Sequence, residues 1–375
     1  MATAHDQQVR TWVEINKQNL YHNVDQFKSL LKKGTRFGAV IKSNAYGHGL
    51  FTIAKLLQNK ADWLLVDTFI EGLHLRKEGI KNPILVLGYT LPAHFEAAVT
   101  NNISLSISQF ESLKKIVAMR CSPKTHLKFD TGMHRQGFYE HQIPEIISCI
   151  GKAPFLEGVY THFASAKDFN YPGYTEKQFK LFQGIIGAFK KSTFPGVLYH
   201  AAASGGTIVS SKTHLDMVRV GMGLYGYYPS AEIKDQMMTL ALKKIALKPI
   251  LSWKTLVSET KSIEAGEPIG YDLTEYLPKK TNIAILPIGY WHGYDRGLSS
   301  VGEVLIRGKR CRVLGRVSMD MITVEAKNAR ISNEVVLVGT QSKEAIYADE
   351  VARRTGTTQY EFLTRINPLI ERIVV

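Results

Sequence analysis

The sequence predicts an α/β fold: a (β/α)8 TIM-like barrel followed by a mostly-β C-terminal domain. Three observations carry this expectation. At 375 residues the chain exceeds what one ordinary hydrophobic core serves, so two domains are expected. Eight strand-like apolar runs alternate with helical patterns from Phe37 to Tyr225, within the span of about 230 residues that a barrel requires. Near Leu240 the helical periodicity gives way to short strand-like stretches. A doubly wound sheet uses the same alternation and stands as the alternative fold.

The elements follow in order. Arg10 to Ile15 reads as a strand ahead of the barrel, expected to pair with the β domain. The barrel strands are expected at Phe37–Lys42, Trp63–Asp67, Pro83–Gly88, Ile103–Ser108, Thr125–Asp130, Leu156–Phe163, Gly196–Ala202 and Met217–Tyr225. The clearest helix is Glu176 to Lys191, where Phe179, Phe182, Ile186 and Phe189 fall on one face and read as core. Beyond it, strands are expected at Ile250–Thr260, Asn282–Ile288, Val304–Arg307, Cys311–Leu314, Met319–Glu325 and Val335–Gly339. Arg307-Gly308-Lys309 reads as a hairpin turn. One helix, Lys343 to Thr355, is expected to end at Gly356. The domains are therefore 10–240 and 241–375.

Composition narrows the function classes. A hydrophobic share of 45% with 21% charged residues fits a soluble globular protein. Lys and Arg number 47 against 33 Asp and Glu, a net charge of +14 that raises a nucleic-acid binder as a candidate. The basic residues are scattered pairs, such as Lys32-Lys33, Lys190-Lys191 and Lys279-Lys280, with no basic tract, zinc spacing or aromatic RNA-binding motif. The charge therefore reads as a solvated surface that attracts small anions, with no nucleic-acid partner and no metal. Cys121, Cys149 and Cys311 are widely separated and suggest reduced thiols. Residues 1 to 10 lack a signal-peptide core, and no apolar run is long enough to span a bilayer, so a cytoplasmic location is expected.

The chemistry concentrates in a few segments. Lys42 ends the apolar run from Phe37 and is followed by Ser, Asn, Tyr46, Gly and His. A Lys there either snorkels to water or sits over a pocket as a nucleophile, the residue that forms Schiff bases with pyridoxal phosphate. In His126-Leu-Lys-Phe-Asp130, alternation places His126, Lys128 and Asp130 on one face. Inside a barrel such groups must be partnered, as a structural ion-pair cluster or as a site for an anion. Ser204 in His200-Ala-Ala-Ala-Ser-Gly205 is a candidate phosphate ligand at a helix start. Gly221 and Gly223 in Asp216–Gly226 allow close backbone approach to a phosphate, and Arg219 alternates onto the face of Gly221.

Together these segments resemble the alanine racemases, from about Val13 to Arg372 and in the same order. The resemblance implies pyridoxal 5'-phosphate as cofactor, held as an aldimine by Lys42. It implies cofactor contacts from Tyr46, Arg135, His162, Ser204, Arg219, Gly221 and Tyr360, with Arg219 facing the pyridine nitrogen. Lys128 matches a lysine that is often carbamylated and orients the arginine at Arg135. Substrate contacts are implied for Arg135, Tyr290 and the backbone at Met319. The second catalytic base is implied at Tyr271, supplied in the family by the partner subunit of a homodimer with shared active sites. Lys and Tyr both have ordinary pKa values of about 10, so such a site must lower them. The implied reaction interconverts L- and D-alanine by two-base proton transfer and supplies D-alanine for peptidoglycan. Two departures stand out: Ala203 where the family usually has Asn, and Trp291-His292 where it usually has Ala-Asp. They keep open a racemase of broader amino-acid specificity. A noncatalytic carrier of pyridoxal phosphate is a further alternative, though it has no need of a β domain holding Tyr271.

Overall fold

The computed structural model describes residues 9–151, 155–166, 172–192, 194, 196–239 and 245–375. The boundary expected at 240/241 lies outside the described residues. By contact the chain divides into two compact units. One gathers residues 20–43 and 53–248. The other gathers the described residues up to 19, with 44–52 and 249–375.

The first unit is a parallel barrel. Among the described residues its strands are β2 (Arg36–Val40), β3 (Trp63–Val66), β4 (Ile84–Val86), β5 (Ile103–Ile107), β6 (Thr125–Lys128), β7 (Leu156–Tyr160), β8 (Leu198–His200) and β9 (Met217–Val220), β1 lying in the other unit. Each pairs in parallel with the next from β2 to β8, and β9 pairs back onto β2 with Gly38 opposite Arg219. Between β8 and β9 closure rests on the Ala203–Arg219 bridge and on Asp216 N–H donating to the Tyr199 carbonyl at 3.0 Å. All eight expected strands are present but shorter at their carboxyl ends, because the chain there turns into the loops that carry the polar residues. The Met217–Tyr225 run breaks after Val220, and Met222–Tyr225 is a 3-10 turn. The aromatic helix runs from Pro172 to Lys191 and buries Phe182 and Phe189 fully.

The second unit is a sheet in the order β11-β12-β15-β14-β13-β16-β10-β1-β18, with β17 added on β16. Its strands are β1 (Thr11–Ile15), β10 (Leu251–Leu256), β11 (Glu259–Ile263), β12 (Thr281–Leu286), β13 (Glu303–Ile306), β14 (Lys309–Leu314), β15 (Ile322–Glu325), β16 (Glu334–Gln341), β17 (Glu344–Ile346) and β18 (Glu371–Val374). The first strand pairs antiparallel with β10 and parallel with β18, so the first and last described strands lie side by side. Arg307 and Gly308 both have positive φ, 52° and 70°, which closes a tight β13–β14 hairpin whose twist matches its strands. Two expectations fail here. The run Ile250–Thr260, expected as one strand, is β10 and β11, parted at Val257-Ser258. The helix read from Lys343 to Thr355 is strand β17 followed by a helix over Ala348–Arg354. Ser342 (φ 59°) turns the chain so that Glu344 pairs with Gln341 and Ile346 is buried, and pairing overrides local helix propensity.

Candidate active site

At the carboxyl ends of the barrel strands, the chain departs from regular structure immediately after Ile41. Ser43, Asn44, Ala45 and Tyr46 all have φ between 51° and 54°, a left-handed turn of non-glycine residues. Each costs about 1–2 kcal/mol, so the turn persists only because its surroundings hold it. Glu71 is one such hold. Its carboxylate accepts from Ser43 N–H at 2.6 Å, and from Asp67 N–H at 2.9 Å and Thr68 N–H at 3.1 Å. Thr68 and Glu71 form the capping box of the helix Phe69–Lys77. Asp67, fixed in this way, accepts from Lys42 Nζ at 2.8 Å. Lys42 is thus neither free nor snorkelled; it is aimed by a carboxylate from the next strand end. Sequence reasoning missed Asp67 and Glu71, although Thr68-x-x-Glu71 directly after a strand is a legible capping signal.

Asp130 builds the next part. Its Oδ1 accepts from the N–H groups of Gly132, Met133 and His134, and its Oδ2 from Arg135 N–H at 3.0 Å. The carboxylate is therefore used to shape the loop that presents Arg135. Although desolvation raises its pKa, those backbone bonds hold it below the usual carboxylate value. Lys128 donates to Gln136 Oε1 at 3.1 Å. Burial, with Arg135, Arg219 and Lys42 nearby, lowers its amine from 10.5 to about 8.

Arg219 is fully buried and holds five partners. Nη1 donates to His200 Nδ1 at 2.7 Å, and Nη2 contacts the Thr161 carbonyl, the Ala201 carbonyl and His162 Nδ1 at 2.8, 2.9 and 3.2 Å. Its guanidinium carbon also lies 5.1 Å from the centre of the Tyr160 ring, on which His200 stacks at 4.6 Å. Burial lowers the guanidinium to about 10. Burial, with Arg219 second, drives His162 down to about 3 and His200 well below its usual value, so both imidazoles are neutral. Tyr160 is a third residue that sequence reasoning missed; as an apolar-looking strand residue it carried no signal.

Ser204, buried, begins a helix of only six residues and accepts at Oγ from Gly221 N–H at 3.0 Å. Ala203 caps that helix without a side-chain bond. Gly223 has a reason other than phosphate approach: a Cβ there would stand 2.3 Å from the Phe27 ring.

The other sequence-derived residues belong to the second unit. The rings of Tyr46 and Tyr360 lie 6.1 Å apart, and burial raises the Tyr360 hydroxyl to about 12. Gly47 O, next in the chain, accepts from Arg372 Nη2 at 2.9 Å. Tyr271 is 70% exposed, in a turn where its neighbours Gly270, Asp272 and Leu273 have positive φ. Asp272 pairs with Arg316 at 3.4 Å. Tyr290 and Trp291 donate their N–H groups to the carbonyls of Ser318 and Met319, both at 3.0 Å. His292 caps its own turn: its Nδ1 accepts from Gly289 N–H at 3.2 Å. Tyr290, Trp291, Met319 and Met321 are all exposed.

A parallel barrel with a lysine, two arginines and neutral histidines gathered at its strand ends defines a barrel enzyme of the anion-binding kind. Comparison with known proteins makes this particular. The family models for the alanine racemase N-terminal domain and C-terminal domain match residues 15–229 and 250–374. The alanine racemase of Leptospira interrogans is 35% identical over 97% of this chain and 96% of its own length. That of Desulforamulus reducens is 36% identical over 97% and 98%. The crystal structure of alanine racemase from Bacillus anthracis with bound L-Ala-P superposes with a TM-score of 0.91 at 35% identity, covering 98% of this chain and 95% of that one. The alanine racemase of Clostridium difficile in complex with cycloserine gives 0.88 at 33%, covering 98% and 96%. The chain belongs to the alanine racemase family, a family of isomerases.

Proposed function

We propose that this protein racemises alanine with pyridoxal 5'-phosphate, using Lys42 and Tyr271 as the two proton-transfer groups. The observation that carries the reading is electrostatic. Arg135, Arg219 and Lys42 act together on Lys128, which burial and these three depress to about 8, and the four cations act together on His162. Such a site is short of negative charge, and a phosphorylated, phenolic cofactor carrying a substrate carboxylate supplies it. When bound, pyridoxal phosphate withdraws electrons from the attached amino acid and so acidifies its α-hydrogen.

The chain's own residues do the rest. Lys42, aimed by Asp67, would hold the cofactor and, once freed, carry a proton at Nζ on one face of the α-carbon. Arg219 would hold the ring nitrogen. As a donor that keeps its proton, it would leave that nitrogen unprotonated, limiting the electron sink and favouring simple removal and return of a proton. Arg135 suits a carboxylate because its planar fork donates two parallel bonds. Tyr46, Ser204, Gly221 and Tyr360 are assigned to the phosphate, His162 to the ring surroundings, and Tyr290 and the Met319 backbone to substrate. Carbamylation of Lys128 belongs to the same reading. Its amine would add carbon dioxide and release a proton, placing an anion among three cations.

Tyr271 would act on the opposite face of the α-carbon, and the reading gives it to the partner subunit of a homodimer. Its exposure, with that of Tyr290, Met319 and Met321, supports a face completed by a second copy. A cytoplasmic location and supply of D-alanine for peptidoglycan rest on family membership alone.

The test is loss of circular dichroism when the protein, given pyridoxal phosphate, meets L-alanine, L-serine and L-lysine separately. Fast loss with L-alanine alone is expected. Comparable loss with all three would move the protein to broad specificity, where Trp291-His292 and Ala203 become the residues to exchange. Bound cofactor with no loss would sink the racemase reading in favour of a carrier.

A further inference from the structure

Arg219 can only donate hydrogen bonds, and that fixes a chain of protons behind it. Its Nη1–H points at His200 Nδ1, so that nitrogen is bare. A neutral imidazole carries one N–H, which His200 must hold on Nε2. His200 Nε2 lies 2.9 Å from His126 Nδ1, which must therefore accept. His126 in turn holds its proton on Nε2, a buried nitrogen that makes no close hydrogen bond and faces the Glu157 carboxylate at 3.4 Å from Oε2. Glu157 also accepts from Ser104 Oγ at 2.5 Å and lies 3.6 Å from Lys124. The order Arg219, His200, His126, Glu157 runs in one direction only, because the reverse would set donor against donor at Arg219.

We propose that Glu157 is a positioning residue for Arg219, acting through His126 and His200 along this one-way chain inside the barrel. The surroundings are built for it. His126 is fully buried, edge-on to Trp63 at 5.3 Å, and His200 is stacked on Tyr160, so neither ring turns freely. A Cβ at residue 158 would stand 2.1 Å from His126 Nδ1, so only glycine at that position admits the ring. The register between β6 and β7 shifts at Thr125/His126, which re-aims the His126 side chain. Without the Glu157 carboxylate, His126 Nε2–H would be buried with no negative charge facing it. The ring would then favour Nδ1–H, oppose His200, and push His200 toward the tautomer that repels Arg219.

The tautomers are a property of the protein itself; only the kinetic consequence rests on the proposed role of Arg219. Histidine labelled at its ring nitrogens, read by proton–nitrogen correlations before and after addition of pyridoxal phosphate, tests the chain directly. Both His126 and His200 are expected as Nε2–H tautomers, and an Nδ1–H signal from either overturns the proposal with no variant needed. Glu157→Leu is expected to mix the His200 tautomers and to lower kcat about tenfold with KM changed less than about twofold. Glu157→Gln keeps an acceptor and is expected to restore the single tautomer and most of kcat. Wild-type tautomers and rate in Glu157→Leu, or equal damage in both variants, would overturn the proposal. Should Glu157→Leu not fold, the wild-type tautomers decide alone. A wild-type protein that binds no pyridoxal phosphate would defeat the functional reading while leaving the tautomers readable, so the two failures are distinguishable.

Discussion

The barrel unit and the β unit present their polar residues in opposite ways. In the barrel, Arg219, His200, His126, Lys128 and Asp130 are buried, and Arg219, His200 and Asp130 are tied by several hydrogen bonds each. In the β unit, Tyr271 is exposed on a strained turn, and Tyr290, Trp291 and Met319 are exposed beside one another. A buried network costs desolvation when the chain folds and then needs no reorganisation to act. An exposed residue gains low dielectric and fixed geometry only when another surface covers it. The polar residues of one unit are therefore fixed by its own fold, whereas those of the other stand exposed to solvent.

Two substitutions break that contrast most sharply. Lys42→Ala removes the group held by Asp67, and the visible absorbance of bound pyridoxal phosphate is expected to disappear, with activity down by at least about a thousandfold. An unchanged spectrum would remove Lys42 from the attachment role. Tyr271→Phe is expected to leave that spectrum intact, since nothing in the barrel network depends on it. Racemisation should still fall by about a hundredfold or more, with exchange of the α-hydrogen lost more from one enantiomer than from the other. Equal loss from both enantiomers would place Tyr271 in binding instead of proton transfer.

The contrast also explains what the sequence made legible. Short, nearly continuous apolar runs such as Trp63–Val66 and Ile84–Val86 marked the barrel strands, because each must bury both faces. The β10–β11 stretch read as one strand because Val257-Ser258, which separates them, carries neither Gly nor Pro. The clustering of His126, Lys128 and Asp130 followed from a period of two. What they bond to did not. Asp130 spends its carboxylate on backbone N–H groups of its own loop, and His126 reaches His200, 74 residues away. Asp67 and Glu71 were hidden for a different reason: the Thr68–Glu71 cap is local, whereas the reach of Asp67 to Lys42 and of Glu71 to Ser43 depends on two strands lying side by side.

Glu71 gives a smaller and more specific break. Its two oxygens hold Ser43 and the Asp67–Thr68 turn at once. Glu71→Gln puts an NH2 against one set of N–H donors, so one of the two turns loses its acceptor. A loss of about 1 kcal/mol in stability is expected from the weakened cap. In addition kcat/KM should fall about tenfold, because Lys42 and Asp67 no longer share one support. A change in melting temperature with unaltered kinetics would reduce Glu71 to a helix cap.

Lys128 sets the smallest effect, and its sign follows from its folded pKa of about 8 against an ordinary 10.5. Below about 8 the amine is protonated in both folded and unfolded chains, and the folded state bears the full penalty of a buried cation among cations. Between the two values the unfolded chain binds more protons, so this group makes stability rise with pH. Above about 10.5 it is neutral in both states and the penalty is gone. Lys128→Met carries no such penalty at any pH. In cofactor-free protein its melting temperature is therefore expected to exceed that of the wild type most near pH 7, with the gap closing toward about pH 11. A gap that stays constant would mean that Lys128 is not held as a buried cation. The amine would then already be neutral or carbamylated at pH 7, and the shortage of negative charge would fall on Lys42, Arg135 and Arg219.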